Sequence, residues 1–141
     1  MMEIRTAVPG DLAEIRILER RCGIRDPYGQ LPTRMSEHPE QFLLMRVEGR
    51  LIGCAEGAPV IPGGDIYGQW HSIRQLMIDP CWQKLGAEGV LIKEVIEQAR
   101  SRRYEGVYLT CSPERCPFYA EYGFVRTGEA KKEILMRIAW Q

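Results

Sequence analysis

The sequence predicts an α/β protein of the α+β type, with one mixed sheet of about seven strands flanked by about four helices. Helical and strand periodicities follow one another in the order β, α, α, β, β, β, α, β, α, β, β, which differs from a regular doubly wound repeat. The 141 residues suffice for one hydrophobic core and leave little room for a second. We therefore expect a single domain over residues 1–141.

The first third of the chain predicts one strand and two helical segments. Residues 2–7 alternate like a short strand, and residues 23–35 show no periodicity, which predicts an irregular or partly helical connection. Residues 36–40 favour one short helical turn. A helical pattern opens at Pro9-Gly10-Asp11, directly after the strand. It places four apolar residues on one face: Leu12, Ile15, Leu18 and Cys22.

The middle of the chain contains the clearest hairpin pattern. Residues 42–47 and 51–57 are apolar strands around a turn at residues 48–50, and a further strand covers about residues 67–78. A long helix from about Ala87 to Arg103 follows. Four of its residues are predicted to form one buried stripe: Val90, Leu91, Val95 and Ala99.

The last third predicts a strand, a short helix and two closing strands. Residues 107–111 form a short apolar strand, and Ser112 is placed as the N-cap of the helix that follows, with Pro113 at its first position. Gly123 suits the left-handed end of that helix. Residues 124–126 and 132–139 close the chain as strands.

Composition and charge exclude several classes of function. The 19 basic residues balance the 19 acidic ones, so no nucleic acid is expected as a partner. No apolar run approaches the roughly 18 to 20 residues of a membrane span, and the N-terminal residues lack the apolar region of a signal peptide, which predicts a cytoplasmic protein without a membrane partner. The five cysteines are odd in number and scattered, which favours reduced thiols, and their spacing relative to the two histidines predicts no metal site.

One loop is predicted to bind an anion. The strand end at Leu76, Met77 and Ile78 turns at Asp79-Pro80 and leads through residues 83–88 directly into a helix. A glycine-containing loop at a helix start presents several backbone N–H groups to one point, as a pyrophosphate requires. The loop consists of Gln83, Lys84, Leu85, Gly86, Ala87 and Glu88.

A second motif lies about thirty residues later, where residues 117–124 read Pro-Phe-Tyr-Ala-Glu-Tyr-Gly-Phe. A tyrosine hydroxyl is able to protonate a thiolate that leaves a tetrahedral intermediate. Packing in the core is the other use of such aromatic residues, and we prefer it for Phe118 and Tyr122.

Together the two motifs resemble the acyl-CoA-binding core of the GNAT N-acetyltransferase superfamily. Ile78-Asp79-Pro80 and Gln83 to Glu88 match its pyrophosphate loop in register, with Gly86 at the middle glycine and Lys84 and Glu88 at positions where the family often has small residues. The resemblance implies the GNAT fold, acetyl-CoA as the acyl donor and Tyr119 as the general acid. It also implies that acetyl-CoA is bound by Leu76, Met77, Ile78 and the loop from Gln83 to Glu88. Residues 117–124 are also similar to the arylalkylamine (serotonin) N-acetyltransferase branch.

The residue that deprotonates the amine is less well defined by the sequence. His71 is the candidate base, because imidazole titrates in the useful range, although alternation along the strand puts it on the opposite face from Ser72 and Arg74 unless a bulge intervenes. Glu56 or Asp65 acting through water is an alternative. A further alternative is Cys111 as a nucleophile in a ping-pong reaction.

The acceptor is expected to be a small primary amine that attacks acetyl-CoA directly in a ternary complex. Tyr28, Trp70 and His71 lie in the segments predicted to flank the cleft, and they make it partly aromatic. Three alternatives stay open: transfer to a protein amine, a non-catalytic acyl-CoA-binding regulatory module, and a plain interaction domain. We also leave a homodimer open as the oligomeric state.

Overall fold

The computed structural model describes residues 2–25, 29–60 and 69–140, and within them it contains seven strands and four helices in the predicted order. The strands are β1 (Met2–Thr6), β2 (Phe42–Val47), β3 (Arg50–Val60), β4 (Trp70–Ile78), β5 (Gly106–Cys111), β6 (Val125–Ala130) and β7 (Glu133–Ala139). The helices are α1 (Leu12–Arg21), α2 (Leu31–Glu37), α3 (Ala87–Ser101) and α4 (Cys116–Ala120).

The strands form one mixed sheet in the order β1-β2-β3-β4-β5-β7-β6. Strands β4 and β5 run parallel, whereas the pairs β1–β2, β2–β3, β5–β7 and β6–β7 are antiparallel. The predicted fold class is therefore confirmed. The chain divides into two compact units, Met1–Glu56 with Gln75–Leu91 and Gly57–Arg74 with Ile92–Gln141. The single domain stays a prediction.

A hydrophobic core in the first unit is built where α1 and α2 meet the sheet. Ile15 and Leu18 of α1 are 1% and 2% exposed, which confirms the predicted apolar face of this helix. Burying a side chain of this size contributes roughly 1.5–3 kcal/mol. The core residues are Ala7, Ile15, Leu18, Leu31, Met35, Phe42, Leu44, Leu51, Cys54 and Met77.

The predicted hairpin is confirmed, with a turn one residue shorter than expected. Glu48 and Gly49 have φ values of 50° and 79°, and Arg50 already belongs to β3. Two central residues with positive φ match the right-handed twist of the paired strands, which is why a two-residue turn closes the hairpin.

Helix α3 differs from its prediction in one residue of its buried stripe. Leu91, Val95 and Ala99 are buried as expected, but Val90 is 40% exposed. Ile92 is fully buried instead. At 100° per residue, Ile92 falls beside the stripe through Leu91, Val95 and Ala99, whereas Val90 turns to the opposite side.

The second unit holds β5 between β4 and β7. His71 pairs with Val107 in the parallel pair. Gly123 has a φ of 98° and ends the segment after α4, as predicted. Ser112 is the N-cap residue with extended backbone, and Pro113 follows at the first helical position, as predicted, although the Ser112 side chain makes no capping hydrogen bond. The helix that begins there is a 3-10 turn over Pro113–Arg115, which precedes α4.

The remaining boundaries shift slightly. The connection predicted to be irregular or partly helical contains the start of α2 at Leu31, after Gln30 with a φ of 53°. A 3-10 turn covers Pro39–Gln41, close to the predicted short turn. Strand β4 begins at Trp70, and the predicted start at residue 67 lies outside the described residues.

Candidate functional site

Strand β4 leads into the loop that is predicted to bind an anion. The side chains of Met77 and Ile78 are buried in the protein interior, and Leu76 is half-buried. Any contact of Met77 or Ile78 with a ligand therefore has to use the backbone. The Gln83 side-chain amide donates a hydrogen bond to the Ile78 carbonyl at 3.1 Å, so the first residue of the loop ties it to the strand end.

Asp79 anchors the junction between β4 and the loop. Its carboxylate is fully buried and accepts two hydrogen bonds from Arg21, from Nε at 2.6 Å and from Nη2 at 3.0 Å. It also accepts the backbone N–H of Cys81 at 2.9 Å. The hydrogen bond from Arg21 is the main reason that the pKa of Asp79 is lowered to about 2.

The ion pair between Arg21 and Asp79 was not predicted from the sequence. An aspartate before Pro80 at a turn is a local signal for the bond to Cys81. Arg21 lies 58 residues away, and no local pattern connects it to Asp79.

The loop has the backbone geometry that an anion site needs. Gly86 adopts a φ of 80°, and apart from its neighbours in the chain no atom of the described residues lies within 4 Å of the position that a Cβ would occupy. The first described hydrogen bond into α3 runs from Val90 N–H to the Gly86 carbonyl at 3.3 Å. The N–H groups of Ala87 and Gly89 therefore belong to the first turn of the helix, where backbone donors lack carbonyl partners within the helix.

The two charged residues of the loop lie on either side of this turn. Lys84 is exposed, and Glu88 is a half-buried acidic residue in the first turn of α3. A carboxylate there is favourable for the helix dipole. An exposed ammonium near the same turn supplies positive charge for an anion.

Tyr119 is held in an aromatic cluster on α4 in the second unit. It is 8% exposed, and its ring packs edge-on against Phe118 at 5.1 Å and against Phe124 at 5.8 Å between ring centroids. The Arg115 guanidinium lies over the Tyr119 ring, 5.4 Å from its centroid. These contacts restrict the ring to one orientation, which a positioned proton donor requires.

The core role preferred for Phe118 and Tyr122 is not what the structure shows. Both rings are half-buried and pack on each other at 5.3 Å, whereas Tyr119 is the most buried of the three. Cations cover their outer faces: Arg115 lies 4.5 Å from the Phe118 centroid and Lys93 lies 5.9 Å from that of Tyr122.

His71 lies on β4 with a defined environment. Its ring stacks on Tyr104 at 6.0 Å with an angle of 21° between the planes. Nε2 lies against Gly57, where any side chain would overlap the imidazole. Burial, assisted by the nearby positive charge of Arg102, lowers the pKa of His71 to about 4. The imidazole is therefore neutral at pH 7 and able to accept a proton.

The predicted acceptor residues are only partly within the described chain. Trp70 is half-buried, and its ring packs against Gly106. The Arg137 guanidinium carbon lies over the same ring, 5.6 Å from its centroid. Tyr28 and Asp65 lie outside the described residues.

Glu56 is not the solvated carboxylate that such residues usually are. It is 3% exposed and forms a bidentate ion pair with Arg34, from Nε to Oε2 at 2.8 Å and from Nη2 to Oε1 at 3.1 Å. A carboxylate held in this way is a weak candidate for a base, since proton uptake would disrupt the pair. Ser72 is half-buried and Arg74 is exposed, and neither has the chemistry of a base.

Cys111 has the properties of a buried small side chain. It is 8% exposed, and burial, with a contribution from the Cys116 thiol, raises its pKa to about 11. A thiol that stays protonated at neutral pH is a poor nucleophile, which argues against the ping-pong alternative.

Residues 11–124 match the family model described as acetyltransferase (GNAT) family. Among solved structures, an acetyltransferase of that family from Brucella melitensis in complex with acetyl-CoA shares 22% identity, with a TM-score of 0.72. The match covers 100% of this chain and 89% of that one. The ribosomal-protein-S18-alanine N-acetyltransferase from Escherichia coli shares 17% identity over 99% of this chain and 94% of its own, with a TM-score of 0.74.

A larger protein contains a similar unit. The N-acetylglutamate synthase from Neisseria gonorrhoeae, complexed with coenzyme A and L-arginine, shares 20% identity and a TM-score of 0.75 over 98% of this chain. The chain spans 33% of the length of that synthase. No curated protein matches the chain. The comparisons support the broad family resemblance and give no support to the narrower one to the arylalkylamine branch.

Among the described residues, two further kinds of feature are absent, membrane-spanning helices and metal-binding groups. None of the helices in these segments is both long and apolar enough to cross a membrane. In the same segments, no group of three or more histidine, cysteine, aspartate or glutamate side chains is placed to hold a metal ion.

Proposed function

Because the chain belongs to the acetyltransferase (GNAT) family, we propose that it transfers the acetyl group of acetyl-CoA to the primary amine of a small molecule. In this reaction the amine nitrogen attacks the thioester carbonyl directly, without a covalent enzyme intermediate. The observation that carries the proposal is the loop before α3, where glycine geometry and helix-terminal N–H groups combine in one short segment.

Acetyl-CoA is the acyl donor of this family, and we assign its pyrophosphate to the loop. The backbone N–H groups of Ala87 and Gly89 supply donors, and Gly86 leaves space for phosphate oxygens. Lys84 adds positive charge. The structures from Brucella melitensis and Neisseria gonorrhoeae were solved with acetyl-CoA and coenzyme A, which supports a CoA ligand for this fold.

Tyr119 is proposed as the general acid. When the tetrahedral intermediate collapses, the carbon–sulfur bond breaks and the departing thiolate takes the proton of the Tyr119 hydroxyl. Support comes from the aromatic packing that orients the ring and from Arg115, whose cation favours the phenolate that remains.

His71 is proposed as the base that removes a proton from the ammonium form of the acceptor. Its neutral state at physiological pH supports this role, and its fixed ring orientation between Tyr104 and Gly57 does so as well. The lowered pKa makes it a weak base, so proton transfer through water to bulk solvent is the competing route. Trp70 is proposed as an acceptor contact.

One relative favours a second acceptor class. The structure from Escherichia coli is of a ribosomal-protein-alanine N-acetyltransferase, and its fold covers nearly all of this chain. A protein amine is therefore the alternative acceptor. A non-catalytic acyl-CoA-binding module is the alternative to catalysis, because the carboxylate of Glu88 lies in the proposed phosphate site and opposes phosphate binding.

Calorimetric titration with acetyl-CoA, followed by thiol-release assays on panels of small amines and peptides, tests the proposal. We expect binding and turnover on a small amine. Tight binding without turnover on either panel would establish the regulatory module, and turnover on peptides alone would establish the protein acceptor.

The placement of the cofactor is tested separately with Gly86→Trp, which fills the loop. Gly49→Trp is a matched control, because Gly49 has nearly the same φ, 79°, and equally open surroundings in a hairpin turn. Loss of acetyl-CoA binding only in the first variant is expected. If Gly86→Trp still binds acetyl-CoA, the cofactor binds elsewhere on the protein.

Two further properties are proposed from the sequence. An odd number of cysteines, all free thiols in the structure, supports a reducing compartment such as the cytoplasm. The homodimer stays a prediction that sedimentation equilibrium would check.

A further inference from the structure

Two cysteines meet where β5 ends and α4 begins. Cys111 is the last residue of β5 and Cys116 the first of α4, and their Sγ atoms lie 3.8 Å apart. We infer that this pair is a site of reversible oxidative modification, where an intramolecular disulfide forms and slows acetyl transfer by displacing the helix that carries Tyr119. The effect on acetyl transfer rests on the proposed role of Tyr119.

The pair is close enough for a disulfide but is not relaxed into disulfide geometry. A disulfide needs about 2.05 Å between its sulfurs, so the two atoms must approach by roughly 1.8 Å. Only four residues separate the cysteines, and the entropic cost of closing so short a loop is small.

The two cysteines differ in how tightly the surrounding structure holds them. Cys111 is paired with Ile134 of β7 in the sheet, and its Sγ contacts the buried Met136 Sδ at 3.8 Å. Cys116 is half-buried at the start of a five-residue helix. The movement needed for closure therefore falls mainly on Cys116 and the first turn of α4 rather than on β5.

The same difference in burial determines which of the two thiols reacts first. Cys116, the more accessible thiol, loses its proton and attacks an oxidised low-molecular-weight disulfide such as oxidised glutathione, which releases one glutathione thiol. Cys111 then loses its proton and attacks the Cys116 sulfur of the mixed disulfide, which expels the second glutathione. Two protein thiols are oxidised by two electrons, and one glutathione disulfide is reduced to two thiols.

A movement of Cys116 is expected to displace Tyr119, because both residues belong to α4. Tyr119 lies three residues after Cys116, which places the two side chains on the same face one turn apart. A displacement of the first turn is therefore transmitted to the tyrosine ring. A misplacement of about 1 Å in a catalytic group costs up to about 100-fold in rate, and we expect turnover to fall by about tenfold or more.

The experiment uses the full chain equilibrated with oxidised glutathione and then digested with trypsin without reduction. Cleavage after Arg103, Arg115 and Arg126 places the two cysteines on separate peptides, residues 104–115 and 116–126. We expect these peptides to be found linked, to separate on treatment with dithiothreitol, and turnover to fall and recover in parallel. Absence of the linked peptides would overturn the modification site.

Controls separate the modification from its effect. Cys116→Ser should keep its turnover under oxidant, whereas Cys81→Ser, which removes an exposed cysteine outside the pair, should still lose it. Complete linkage with unchanged turnover would overturn the effect on Tyr119. If the reduced enzyme acetylates no amine, the proposed function fails, and the linked peptides still decide whether the disulfide forms.

Discussion

Protonation of His71 should destabilise the folded chain at mildly acidic pH. The pKa of this imidazole is lowered from 6.5 to about 4 by its burial. Between these values the unfolded chain binds a proton that the folded chain does not. The stabilisation is thus fully present above about pH 6.5 and is lost as the pH falls towards 4. A difference of about 2.5 pH units corresponds to roughly 3 kcal/mol of unfolding free energy.

The assay compares wild type with His71→Gln. Between pH 7.5 and 4, wild type should lose about 3 kcal/mol more unfolding free energy than the variant, measured by urea unfolding. For a chain of this length, that is a difference of roughly 10 °C in Tm. NMR titration provides a direct check, because the chain has only two histidines and His38 supplies the second signal. Parallel pH curves for the two proteins, or a His71 signal that titrates near pH 6.5, would refute the reasoning.

Substitutions of three other residues test the general acid, the packing around His71 and the anchor of the loop. Tyr119→Phe should keep acetyl-CoA affinity, measured by calorimetry, and lower turnover by roughly 100-fold; equal turnover would remove the hydroxyl from the mechanism. Gly57→Ala should lower the unfolding free energy by about 1–3 kcal/mol, because its methyl group overlaps an imidazole, while Gly10→Ala in open surroundings should change little. Asp79→Asn should lower the Tm, whereas Glu129→Gln, in an exposed ion pair, should leave it nearly unchanged. Equal Tm values for these two variants would contradict the anchoring role.

Local patterns predicted most of the elements correctly, because their causes lie within a few residues. The hairpin around Glu48 and Gly49 follows from alternation on both sides of a turn that accepts positive φ. The end of the α4 segment at Gly123 has a similarly local cause. An error of this method was local as well: Val90 was assigned to the wrong side of α3.

Contacts over long sequence distances could not be predicted in this way. The ion pair between Arg21 and Asp79 joins residues 58 positions apart, and that between Arg34 and Glu56 joins residues 22 apart. Neither has a periodic signature, since each depends on how a helix is placed against the sheet. The same holds for the stacking of Tyr104 on His71 and for the burial that lowers the pKa of this proposed base.

The sequence alone determined the order of strands and helices, the loop from Gln83 to Glu88 and the tyrosine helix, because periodicity, glycine placement and short motifs are properties of neighbouring residues. The tertiary structure decided which side chains are buried and paired. It showed that Asp79 holds the loop, that Tyr119 is enclosed by aromatic rings, and that Cys111 faces Cys116. These properties arise from the packing of elements distant in sequence, and packing sets the burial and charge on which the chemistry depends.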